Sequence, residues 1–103
     1  MIRVTMLYPN ESGATFDYDY FSEKHLPMAR QELEPRGMVG FEWDRGISAT
    51  DPNAPPPYLV ITHMTFNSLE EVHEAFKAAG RQVMGDISNY TNVKPVVQIG
   101  EIV

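Results

Sequence analysis

Tyr58-Leu59-Val60-Ile61-Thr62-His63-Met64-Thr65-Phe66-Asn67-Ser68-Leu69-Glu70-Glu71-Val72 carries a strand directly into a helix, and the rest of the fold reads outward from it. Residues 58–66 are dense in β-branched and aromatic side chains, and Asn67-Ser68 ends the run. Ser68 with Glu71 three residues on makes a capping box, after which Leu69, Val72, Phe76 and Ala79 recur at helical spacing up to Gly80. Arg81 to Ser88 reads as a short helical turn and Asn89-Tyr90-Thr91-Asn92 as a connection. The chain closes on a strand from Lys94 to Val103 with Pro95 near its start, where proline is tolerated.

Upstream, Ser48 to Pro57, with Asp51-Pro52-Asn53 and Pro55-Pro56-Pro57, can only be a loop. Met38 to Ile47 alternates so that Val39, Phe41 and Trp43 share one side, which predicts a strand. Asp17 is placed to cap a helical region that runs to Pro35-Arg36-Gly37. Pro27 lies inside that region, so a break or kink is expected near His25-Leu26-Pro27, where backbone carbonyls are freed. Residues 1–9 form the first strand and stop at Pro9-Asn10.

The order β-α-β-β-α-β over residues 1–103 predicts one α+β domain. It is a ferredoxin-like βαββαβ sandwich with a four-stranded antiparallel sheet and both helices on one face. Large apolar residues then fall at both parities of three strands: Val4 and Met6 against Leu7, Val60 and Met64 against Ile61, Val96 and Ile102 against Val97 and Ile99. A sheet with one solvated face alternates apolar with polar. A second copy covering that face, as a two-fold homodimer, is the expected solution.

The composition narrows the partners. The net charge is −6, with 14 acidic and 8 basic side chains. Lys and Arg occur singly, which argues against nucleic acid and against an anionic membrane surface. The RNA-binding version of the four-stranded sheet fails on the same charge and lacks the basic-aromatic strand motif. No cysteine is present, so there is no disulfide, thiolate metal site or thiol nucleophile. No run approaches the roughly 20 apolar residues of a membrane span, and the N-terminus lacks the apolar core of a signal peptide; a cytoplasmic protein is expected. Neither a phosphate-binding glycine loop nor a nucleophile elbow occurs, and the histidines stand in separate elements without metal-ligand spacing, so no metal, nucleotide or other cofactor is called for.

Phe16-Asp17-Tyr18-Asp19-Tyr20-Phe21 with His25-Leu26-Pro27-Met28, Asp86-Ile87-Ser88-Asn89-Tyr90-Thr91 and the closing residues 94–103 together resemble the EthD family of the dimeric α+β barrel superfamily. The likeness spans the chain from first strand to last. It implies a homodimer whose two sheets face each other, with a small-molecule cavity between the sheet and helices of each subunit. The family takes its name from ethyl tert-butyl ether degradation. Superfamily relatives include cofactor-independent monooxygenases, muconolactone isomerases, polyketide cyclases and haem-degrading enzymes, so the fold does not fix a reaction.

His25 is the first candidate for chemistry, because imidazole titrates near neutrality and can both take and give a proton. It matches the histidine of the family's His-x-Pro element; the competing reading has its ring simply holding a carbonyl that Pro27 frees. Asp86 is placed to orient His25. Substrate contact is expected of Tyr20, Trp43, Tyr90 and His63, the first three being aromatic with a polar handle. Two functions follow: an enzyme moving protons on a hydrophobic small molecule through His25, or a non-catalytic homodimer that binds such a molecule in a degradation pathway.

Overall fold

In the computed structural model the strands are β1 (Ile2–Pro9), β2 (Met38–Arg45), β3 (Tyr58–Phe66) and β4 (Val96–Glu101), in the spatial order β2-β3-β1-β4 with every pair antiparallel. This is the ferredoxin-like arrangement that the element order predicts. Helix α1 is made of three consecutive pieces, Tyr18–Tyr20, a π-helical turn Phe21–His25, and Leu26–Leu33; helix α2 is Leu69–Gly85. Both lie on one face, and the smallest extent of the molecule, 19 Å, is one sheet plus one helix layer. No helix is long and apolar enough to cross a membrane.

The core forms between those layers. Val4, Met6 and Tyr8 from β1, Val60, Thr62, Met64 and Phe66 from β3, and Met38 and Phe41 from β2 are buried against Phe21, Ala29 and Leu33 of α1 and Val72, Ala75, Ala79 and Val83 of α2. The opposite face carries Thr5, Leu7, Ile61, His63 and Thr65 half-buried, with nothing in the monomer above them.

Both N-caps form as expected, although the return bond from the Ser68 amide to the Glu71 carboxylate that completes a capping box is not made. Asp17 accepts the Tyr20 amide at 3.0 Å and Ser68 Oγ accepts the Glu71 amide at 3.1 Å. The break expected at Pro27 takes the form of a widened turn. Proline has no N–H to return to the carbonyl four residues back, and just before it the Leu26 amide bonds to the Phe21 carbonyl, five residues back. The helix therefore continues through the proline with one extra residue in the turn.

Three expectations need correction. Val39 does not share a side with Phe41 and Trp43: a β-bulge between Met38 and Gly40 shifts the register by one, burying Met38 and Phe41 and turning Val39 out at 56% exposure. Helix α2 does not stop at Gly80 but runs on through Gly85, because Gly80, Ala79 and Val83 form a buried stripe whose packing outweighs the glycine's low helix propensity. The last strand starts at Val96, after Pro95.

Candidate functional site

The pieces of the site come from opposite ends of the chain and are fastened by backbone contacts. Phe16 bridges to Thr91, the Asp17 amide donates to the Tyr90 carbonyl at 2.7 Å, and Thr91 Oγ1 donates to the Thr15 carbonyl at 2.7 Å. This seam sets the start of α1 beside the segment between α2 and β4. The π turn then places Phe21 and His25 inward together, their rings stacked 5.3 Å apart.

His25 is only 4% exposed, and its Nδ1 lies 2.9 Å from Asp86 Oδ2. The bond that the alternative reading gave to a freed backbone carbonyl goes to this carboxylate instead. Asp86 Oδ1 accepts from the Tyr20 hydroxyl at 2.8 Å and from Asn89 Nδ2 at 2.9 Å. Asp86 follows the last residue of α2, the helix end that disfavours negative charge. Three side-chain donors offset that location. Burial alone would raise the Asp86 carboxyl, but the bonds from Asn89, His25 and Tyr20 outweigh it and hold it below the usual carboxylate range.

An ionised carboxylate only accepts, so His25 Nδ1 carries the hydrogen and Nε2 carries the lone pair. Burial lowers the His25 pKa, and the bond to Asp86 and its charge offset only part of that drop. The ring is thus neutral near pH 7, with its basic nitrogen free of protein partners. Tyr90, 3% exposed, has its ring 4.7 Å from that of His25 and its hydroxyl 2.6 Å from the Tyr8 hydroxyl. Desolvation pushes the Tyr8 hydroxyl up to about 12 despite the Tyr90 bond, and raises Tyr90 as well, so both stay protonated at neutral pH.

Two spaces border this cluster and a third lies beyond Met6 and Met84. A narrow cavity of about 10 Å³ is lined by Tyr8, Phe21, His25, Thr62, Met64 and Met84 among others. An apolar pocket of about 260 Å³ lies between α2 and the β1–β4 ribbon, bounded by Met6, Phe76, Met84, Val97 and Ile99. A wide groove of about 1140 Å³, open to solvent, passes Phe16, Asn89, Tyr90 and Lys94. Met84 borders all three spaces.

Of the residues expected from sequence, His25, Asp86, Tyr20 and Tyr90 come together. Trp43 stands behind them, packed edge-on against Phe21 at 4.9 Å. His63 does not join: it lies on the opposite face of the sheet, its Nδ1 3.4 Å from Thr5 Oγ1, because its parity on β3 is opposite to that of Thr62. Tyr8, Asn89 and Thr62 belong to the site without being among the residues expected there. Each left a trace in the sequence: Tyr8 continues the Val4, Met6 parity, Asn89 stands three residues from Asp86, and Thr62 is the polar member of the Val60, Thr62, Met64 stripe.

Comparison with solved structures gives a protein of Ralstonia eutropha JMP134 described as EthD-like. It is 32% identical, superposes with a TM-score of 0.92, and the match covers 99% of this chain and 91% of that one. The chain belongs to the EthD-like family. An ethyl tert-butyl ether degradation (EthD) family protein of Bacillus halodurans C-125 matches at 18% identity and TM-score 0.70, covering 100% and 99% of the two chains. The fold alone extends to an antibiotic biosynthesis monooxygenase, at 11% identity and TM-score 0.53 with coverage of 100% and 99%. No family profile and no curated protein matches the sequence.

Proposed function

We propose that this EthD-like protein is an acid–base enzyme acting on a hydrophobic small molecule in catabolic or secondary metabolism, with His25 as the base. The observation that carries this reading is the 2.9 Å bond between His25 Nδ1 and Asp86, on a neutral ring that lines a cavity. It fixes the tautomer, turns Nε2 into the proton acceptor, and places a carboxylate where it stabilises the imidazolium formed when a proton arrives. Isomerisation, decarboxylation, cyclisation and oxygenation of an aromatic or polyketide-like compound each begin or end with such a transfer. The apolar pocket beside the cavity supports a hydrophobic substrate, and the fold shared with a monooxygenase is compatible with it.

A test is open without identifying the natural substrate. A panel of enolisable aromatic ketones in D₂O, followed by NMR, reports removal of an acidic C–H proton. Wild type is expected to accelerate exchange for at least one member, and His25→Ala to abolish the acceleration. Exchange that is unchanged in His25→Ala removes the reading. The non-catalytic alternative, a dimer that only stores or hands over a hydrophobic molecule, draws on the same apolar pocket, which needs no base. Retention of ligand without any exchange favours it.

We also propose a two-fold homodimer with the open sheet faces apposed. The half-buried Leu7 and Ile61 on that face support it.

A further inference from the structure

Thr62 Oγ1 is the one buried side-chain polar atom of the protein that has no hydrogen-bond partner. Its residue is 1% exposed and sits mid-sheet on the helix-facing side, paired with Met6 on β1 and Trp43 on β2. An orphaned buried hydroxyl is destabilising, and an apolar residue of the same shape would fill the position without that penalty. Thr62 also borders the same narrow cavity as His25. That cavity has the volume of about one water molecule. Thr62 and His25 thus line one cavity of that size together.

We propose that Thr62 and His25 form a two-point receptor for one hydroxyl group of a phenolic or enolic substrate: the O–H donates to His25 Nε2, and its oxygen accepts from Thr62 Oγ1. The bond from Nδ1 to Asp86 leaves Nε2 with a lone pair and no hydrogen. An enolisable ketone meets that lone pair in its enol form, and the enol hydroxyl satisfies both groups. The rest of the substrate has a place to lie, since Met6 and Met84 separate the cavity from the 260 Å³ apolar pocket and methionine side chains re-pack readily. The substrate class is therefore a small apolar ring or chain carrying a single acidic hydroxyl, with the rest of the molecule held outside the slot. The assignment rests on His25 being the base and adds Thr62 as a substrate-contacting, specificity-determining residue.

Phenol and benzene serve as probes, measured by calorimetric titration against wild type, Thr62→Val and Thr62→Ser. Wild type is expected to prefer phenol. Thr62→Val is expected to lose about tenfold of that preference, the worth of one hydrogen bond to a buried group, while its thermal midpoint rises because the orphan is gone. Thr62→Ser keeps the preference. A residue that merely packs shows no such opposition of stability and recognition. No phenol preference in wild type, including no binding of either probe, overturns the proposal. So does a preference unchanged in Thr62→Val, or a midpoint that falls in it. If His25→Ala abolishes proton exchange while Thr62→Val leaves recognition intact, the receptor fails and the base stands; exchange unchanged in His25→Ala removes the base and, with it, the assignment that rests on it.

Discussion

At the scale of single residues, the His25–Asp86 pair ties stability to pH. Burial holds the folded His25 pKa below 6.5, the unfolded value, so the unfolded chain takes up a proton first as the pH falls. The stability that neutral His25 contributes is complete above pH 6.5 and is lost progressively below it, down to the folded pKa. Chemical denaturation of wild type is expected to show this fall starting near pH 6.5, and His25→Gln is expected to flatten it. The carboxylate adds a second loss at more acid pH: its folded pKa is depressed, so its contribution disappears as the pH drops from 3.8 through that lower value. His25, Asp86, Tyr20 and Tyr90 were legible in the sequence because chemistry-bearing types stood in segments the family resemblance also marks. His63 stands apart from them because its parity on β3, opposite to that of Val60, Thr62 and Met64, puts it on the other face of the sheet. Thr62 went unnoticed because its meaning lies in a missing partner, which only three dimensions show.

Among the elements, the local signals with a direct backbone mechanism were the dependable ones. Ser68 caps α2 as its spacing with Glu71 suggests, and Ser68→Ala is expected to lower unfolding stability by about 1 kcal/mol in urea titration. An unchanged midpoint would mean that another group takes over the orphaned amide. Gly37 ends the α1 region with φ at 112°, a left-handed conformation, as the Pro35-Arg36-Gly37 sequence suggests. What the sequence could not show was how long-range packing resolves a local conflict. Pro27 announced an interruption but not its form; stacking of Phe21 on His25 accompanies a widened turn in a helix that does not break. Val39 follows simple strand alternation in the sequence, and one bulge reverses it. Gly80 read as a stop, yet the buried face of α2 carried the helix past it.

For the molecule as a whole, the prediction concerns assembly. Light scattering is expected to give a mass near twice 11.7 kDa, and Ile61→Lys, which puts a charge on the open face, is expected to halve it. A wild-type monomer would leave the apolar residues of that face unexplained by pairing. The ferredoxin-like fold was legible because it depends on element order, a feature that survives small errors at the ends of elements. One further property follows from the neighbouring positions of the first and last strands. Ile2 pairs with Glu101, and the Ile102 amide reaches the Met1 carbonyl at 3.0 Å, so the two ends of the chain nearly touch. The polypeptide is therefore close to a closed ring already. A short linker from Val103 to Met1, with new ends cut in the proline-rich loop between β2 and β3, would make a circular permutant in which Asp86 is synthesised before His25. The order of synthesis would be reversed while the base and its orienting carboxylate still met across the same seam.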